Sequence, residues 1–142
     1  MGQKGDQGGK VVVVVLPCSG IGKAYGEIGR QATYALMDDL CPDKVTTTCL
    51  AKLMIGDPDA LDLVKNNTVI TIDGCAHDCA RKNVESTGKK VDTAVRVINT
   101  FKQHKDLKPA GVLELGEPGF KLAQILAEDL AAEIDCPRRK EE

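Results

Sequence analysis

The residues of this sequence that are best suited to chemistry are its thiols. The six cysteines among its 142 residues are Cys18, Cys41, Cys49, Cys75, Cys79 and Cys136. A thiolate is both a soft metal ligand and a nucleophile. In a cytosolic chain, so many cysteines indicate metal or redox chemistry before structural disulfides, although any one of them can be a buried thiol that acts as a small apolar side chain. Cys41 and Cys136 each precede a proline at a predicted helix end, and we assign them no role.

Cys75 and Cys79 are the most closely spaced pair. The sequence predicts a helix over residues 76–85, and positions four apart share one face of a helix. Both sulfurs could then reach one ion, and the positive end of the helix would favour their thiolate forms. The cations near enough in sequence to offset the added negative charge are Lys23, Lys52 and Arg81. We expect His77, between the two cysteines, to face solvent.

The elements that must position these thiols alternate along the chain. The predicted strands cover residues 11–16, 45–50, 68–72 and 91–99, with a possible short fifth strand over 112–115. The predicted helices cover residues 23–40, 59–65, 76–85 and 118–134. This alternation predicts a three-layer α/β fold with a mostly parallel, flavodoxin- or Rossmann-like sheet in the order 2-1-3-4. We expect a single domain over residues 11–135 that includes the last helix, flanked by a disordered tail over 1–10 and a charged tail over 136–142.

Four of the six cysteines fall at the carboxyl ends of the predicted strands. Cys18 follows the first strand, Cys49 ends the second, and Cys75 and Cys79 follow the third. These strands are neighbours in the order 2-1-3-4, and ligands bind parallel sheets outside the carboxyl ends of their strands. The topology therefore predicts that the four thiols converge on one crevice.

The overall charge and composition exclude several other classes of partner. Lysine and arginine total 19 and aspartate and glutamate total 21, so the net charge of -2 provides no basic surface for nucleic acid. No apolar run is long enough to span a membrane, and no signal peptide is visible. We therefore expect a cytoplasmic protein whose partner is a metal ion, with neither nucleic acid nor membrane as a partner.

Three near matches to other motifs are weak. Gly20-Ile21-Gly22-Lys23 resembles the end of a phosphate-binding loop, but the first glycine of that motif would fall at Pro17. Tyr25 stands where a dinucleotide-binding GxGxxG motif needs its last glycine. Cys75 and Arg81 have the spacing of a cysteine phosphatase, but the residues between them include no glycine to bend a phosphate cradle.

Residues 71–82, TIDGCAHDCARK, resemble the core motif of the DGC-domain family, which is described as a family of zinc-binding proteins. Cys18-Ser19-Gly20 is similar to the family's opening motif, and Cys49-Leu50-Ala51 to its second cysteine segment. The resemblance covers residues 11–97 and departs from the family after about residue 98. It implies a zinc site formed by the cysteines at 18, 49, 75 and 79, and it implies no established reaction.

The sequence leaves open whether the protein is an enzyme. The leading hypothesis is a Zn²⁺-binding protein that uses Cys18, Cys49, Cys75 and Cys79. The alternative is a sulfur-transfer or redox enzyme, in which Cys75 or Cys18 is a nucleophile of lowered pKa and Cys79 resolves its product. An iron–sulfur cluster on the same four ligands is a third interpretation, because sequence alone does not separate it from zinc.

Overall fold

A computed structural model describes residues 12–20, 23–112 and 114–134 of the chain. The predicted tails over residues 1–10 and 136–142 lie outside the described residues, as does Cys136. Within the described ranges, no helix is both long and apolar enough to cross a membrane.

The centre of the fold is a parallel sheet of four strands. The strands are β1 (Val13–Pro17), β2 (Val45–Thr46), β3 (Thr68–Asp73) and β4 (Thr93–Arg96). Their order is β2-β1-β3-β4 and every pair is parallel, which confirms the predicted topology. The run of valines in β1 is almost wholly buried, as expected for a central strand that is covered on both faces. Because β1 lies against β3, the turns after these two strands are adjacent.

Helices cover both faces of the sheet. They are α1 (Ala24–Ala35), α2 (Leu50–Met54), α3 (Pro58–Lys65), α4 (Cys79–Glu85), α5 (Val97–Gln103) and α6 (Gly116–Ile134), and a π-helical turn over Leu36–Leu40 extends α1. On one face, Ile28 of α1 and Leu126 of α6 share a core with Val15 and Ile72. On the other face, residues of α2, α3 and α4 pack against Val14 and Leu16 of β1. The result is the predicted three-layer α/β fold.

The structure contains two short helices where we predicted other structure. The second strand, predicted over 45–50, ends at Thr46, and Leu50 and Leu53 then pack on the core from one face of α2. The fourth strand, predicted over 91–99, ends at Arg96, and α5 begins at Val97, within the range predicted as strand. In both cases, the run of β-branched residues is longer than the part that pairs with a neighbouring strand, so it predicted a strand that was too long.

The predicted fifth strand does not form at the described positions 112, 114 and 115. Leu115 instead buries its side chain in the core beside α6. The carbonyl oxygen of Leu115 accepts a hydrogen bond from the backbone N–H of Ala110 at 2.8 Å, which closes a local turn rather than a strand ladder. The sheet therefore has four strands in the part of the chain that the structure describes.

Candidate thiol and metal site

Cys18 lies against the loop that follows β3. Its backbone N–H donates to the carbonyl oxygen of Ile72 at 2.9 Å, so the turn after β1 stays attached to the neighbouring strand. The backbone N–H of Gly74 donates to the Cys18 sulfur at 3.4 Å. Cys18 is therefore held next to the residue that precedes Cys75, as the order of the strands predicts.

Two glycines allow the beginning of α1 to approach both of these loops. A Cβ atom on Gly26 would lie 2.5 Å from the backbone nitrogen of Gly20, in the turn after Cys18. A Cβ atom on Gly74 would lie 3.1 Å from the backbone nitrogen of Gly26. Side chains at these two positions would push the Cys18 turn and the Cys75 loop away from the helix.

Cys75 lies in a loop and not on a helix. The helix predicted from residue 76 begins at Cys79, so Cys75 and Cys79 do not share one helical turn. In this loop the Cys75 sulfur is 3.2 Å from Nδ1 of His77. His77 is exposed, as predicted, but its contact with Cys75 was missed because a helical path would have directed its ring away from both thiols.

A buried carboxylate sets the start of α4. Asp73, at the end of β3, accepts hydrogen bonds from the backbone N–H groups of Ala80 at 2.6 Å and Arg81 at 3.1 Å. These are the free N–H groups of the first turn of the helix, which a carboxylate stabilises. Burial raises the pKa of the Asp73 carboxyl above its usual value, and the two N–H groups act in the opposite direction. Sequence reasoning missed this role, although an aspartate that ends a strand beside a helix start is a signal for it.

Asp78 and Arg96 form the strongest ion pair of the loop. Asp78 adopts a left-handed conformation with φ 55° and ψ 45°, immediately before Cys79. Both of its carboxylate oxygens accept hydrogen bonds from the Arg96 guanidinium, from Nε at 2.9 Å and from Nη2 at 2.7 Å. These bonds hold the pKa of Asp78 below its ordinary value and raise the pKa of Arg96. Sequence reasoning missed this pair, because Asp78 follows β3 and Arg96 ends β4, and only the pairing of these strands brings them together.

Cys49 and Cys79 begin two neighbouring helices. Cys49 is the residue that caps α2 and Cys79 is the first residue of α4, and these helices pack beside each other. Both cysteines are exposed. Of the three cations that we expected nearby, Arg81 pairs with Glu85 at 3.1 Å.

All four cysteines of the predicted site are free, and all lie beyond the carboxyl ends of the strands. Cys18 contacts the loop that holds Cys75, and the helices that begin at Cys49 and Cys79 are neighbours. Within the described ranges, no three His, Cys, Asp or Glu side chains are close enough together to hold a metal ion. Cys41, for which we predicted no role, is disulfide-bonded.

Comparison with known proteins identifies one family. The DGC domain matches residues 14–115, which extends beyond residue 98, where we expected the resemblance to end. No curated protein and no solved structure matches the chain. The matched range covers most of the sequence and includes all of the sheet except Val13, and so the chain belongs to the DGC-domain family.

Proposed function

We propose that this protein binds one Zn²⁺ ion through Cys18, Cys49, Cys75 and Cys79. The observation that carries the proposal is the delivery of four free thiols to one edge of a parallel sheet, from three separate segments of the chain. Ligands of α/β proteins bind at this edge, and β1 and β3 lead into helices on opposite faces there.

The chemistry of the donors fits zinc. Four thiolates are a common ligand set for a closed tetrahedral Zn²⁺ site, and soft sulfur ligands disfavour magnesium and calcium. Because no three of the thiols are grouped in the described residues, the proposal includes a rotation of their side chains and a movement of the segment that carries Cys49 when the ion binds. The partial or full exposure of all four cysteines supports such a movement, because little packing opposes it.

Metal analysis of the anaerobically purified protein tests the proposal. We expect one zinc per chain, a colourless solution, and protection of the four thiols from alkylation until the zinc is chelated. Cys75→Ser should lose most of the metal, because a tetrahedral ion that loses one of its four thiolate ligands binds far more weakly. Cys136→Ser removes a cysteine outside the proposed set and should retain the metal.

If the purified protein contained iron and had a brown absorbance, the same four ligands would hold an iron–sulfur cluster instead of zinc. Unchanged zinc content in Cys75→Ser would contradict the proposed ligand set. Equal metal loss in Cys75→Ser and Cys136→Ser would mean that the metal is not bound by a defined group of thiols.

The contact between Cys75 and His77 favours a second candidate function, a thiol enzyme that carries sulfur. His77 Nδ1, at 3.2 Å, can accept the Cys75 proton and leave a thiolate. That thiolate could attack the outer sulfur of an alkyl persulfide, form a Cys75 persulfide and release the alkyl thiolate. Cys79, as a thiolate, would then attack the inner sulfur of the Cys75 persulfide, which forms a Cys75–Cys79 disulfide and releases hydrosulfide.

Alkylation of the metal-free, reduced protein tests this second function. We expect His77→Ala to slow the modification of Cys75 near neutral pH and to leave Cys49 unchanged. His104→Ala, which changes the other histidine of the chain, is the matched control and should have no effect. If Cys75 were alkylated at the same rate in His77→Ala and in the parent protein, His77 would not activate Cys75.

The four free thiols favour a reducing compartment such as the cytoplasm for either function. The disulfide at Cys41 favours an oxidising environment instead. Thiol counting in protein taken directly from cells under acid quench would decide between them, with six reduced cysteines expected for a reducing compartment and four if the disulfide is present.

A further inference from the structure

The loop that carries Cys75 depends on an unusual backbone conformation at Asp78. A positive φ is uncommon for any residue other than glycine, and it is unfavourable because Cβ approaches the neighbouring carbonyl oxygen. Asp78 has φ 55° and connects the turn after Cys75 to the first residue of α4, Cys79. If Asp78 reverted to a right-handed or extended conformation, Cys75 and Cys79 would change their relative positions.

Arg96 reaches this aspartate from the next strand. It is the last residue of β4, and its register partner on β3 is Asp73, the residue that holds the first N–H groups of α4. The planar guanidinium donates to both oxygens of Asp78, at 2.9 Å and 2.7 Å. The loop is therefore fixed at its beginning by Asp73 and at its end by Arg96, with Cys75 between them.

The pair is poorly placed to stabilise the whole fold. The Arg96 side chain is 39% exposed and that of Asp78 is 14% exposed. Ion pairs that are this exposed to solvent contribute little to the free energy of unfolding. A forked, two-bond pair does fix the direction of its partner, however, and here it fixes a residue whose backbone is otherwise unfavourable.

We infer that Arg96 is a positioning residue for the thiol site, which holds Asp78 left-handed and so fixes Cys75 relative to Cys79. Its effect on zinc rests on the proposed function, whereas its effect on the two thiols does not. Residues that do not bind the metal but hold the ligands or their neighbours in place commonly determine how well the ligands are oriented.

The test compares Arg96→Gln with Arg30→Gln, a matched control that removes the same charge from an arginine of similar exposure but breaks an ion pair with Glu27 within α1. In metal-free, reduced protein we expect Arg96→Gln to change the alkylation rates of Cys75 and Cys79 severalfold relative to Cys49. Arg30→Gln should leave those ratios unchanged. In the same variants, the zinc affinity measured by chelator competition should fall about tenfold to a hundredfold for Arg96→Gln only.

Two further variants separate positioning from folding. Arg96→Lys keeps the charge but donates to one oxygen at a time, so we expect a folded protein with an intermediate change. In an Asp78→Gly background, Arg96→Gln should have no further effect, because its partner carboxylate is absent. Equal alkylation ratios in Arg96→Gln and Arg30→Gln would overturn the inference. If the parent protein bound no zinc, the proposed function would fail, and the alkylation ratios would still decide the role of Arg96.

Discussion

Two aspartates near the thiols have opposite environments. Asp73 is buried, and its carboxylate is satisfied by backbone N–H groups at the start of α4. Asp78 is partly exposed, and its carboxylate is satisfied by the guanidinium of Arg96. The first residue determines where a helix begins and the second determines the path of the loop before it. Neither is expected to bind an ion itself, because both are already occupied by protein donors.

A single buried hydroxyl group on β3 gives a prediction at the scale of one residue. Thr71 is fully buried, and its hydroxyl has no hydrogen-bond partner among the described residues. Thr71→Val replaces that hydroxyl with a methyl group of similar size, so we expect the free energy of unfolding to rise by about 1 kcal/mol. Urea denaturation measures this change.

Thr33→Val is the control for this substitution. Thr33 is equally buried, but its hydroxyl donates to the carbonyl oxygen of Gly29 at 2.9 Å. We expect this variant to lose about 1 kcal/mol of stability. A loss of stability in Thr71→Val would show that its hydroxyl is hydrogen-bonded in solution.

At the scale of elements, the sequence predicted the strands' order better than their ends. Alternation of strands and helices was sufficient for the order 2-1-3-4, since right-handed crossovers leave few alternatives. It could not show that β2 has two residues, because the length of a strand depends on how much of it the neighbouring strand can pair. The helices α2 and α5 were missed for the same reason: each begins where a β-branched run leaves the sheet.

For the candidate site too, the sequence predicted the place in the fold but not the local backbone conformation. The edge on which the four thiols lie follows from topology, and the sequence predicted it. The conformation between Cys75 and Cys79 depends on Asp73 and on an arginine 18 residues beyond Asp78, and only the register of β3 and β4 brings these groups together. The helical periodicity argument therefore placed both thiols on one helix, whereas α4 begins only at Cys79, the second of them.

The contact between α1 and the Cys18 turn gives a prediction for an element. Gly26→Ala should improve helix propensity by up to about 1 kcal/mol, but its Cβ would lie 2.5 Å from the Gly20 nitrogen. Relieving such an overlap with backbone typically costs about 1–3 kcal/mol, so we expect a net loss of stability and faster alkylation of Cys18.

Gly20→Ala is the matched control, because a Cβ at this position meets nothing within 4 Å. We expect its stability to change by less than about 0.5 kcal/mol. If Gly26→Ala were more stable than the parent protein in the same thermal melt, helix propensity would outweigh the contact, and α1 would not hold the Cys18 turn.

At the scale of the whole molecule, the thiol site and the cores are separate. Neither of the two buried clusters among the described residues includes a cysteine of the site. A zinc finger unfolds without its metal because the metal replaces a core. This protein has a core on each face of its sheet, so its fold should not depend on the metal.

Removal of zinc should therefore leave a folded protein. We expect chelation to preserve the far-ultraviolet circular dichroism and cooperative unfolding. At a free zinc concentration of about 100 times Kd, binding adds about 2.7 kcal/mol, so chelation should lower Tm on the order of 5–10 °C. Collapse of the helical signal on chelation, with recovery when zinc is returned, would contradict this separation.

The short length of β2 has a consequence for how a bound metal ion would exchange. Only Val45 and Thr46 pair with β1, whereas β3 pairs with β1 at five positions, and Cys49, three residues after β2, is exposed. Local opening costs least where few backbone bonds and little apolar surface are lost. Of the four proposed ligands, Cys49 is thus the one that should dissociate first, leaving an ion held by three thiolates with one coordination position open. Such a position is where an incoming ligand enters a zinc site, so an acceptor could take the metal without unfolding the donor.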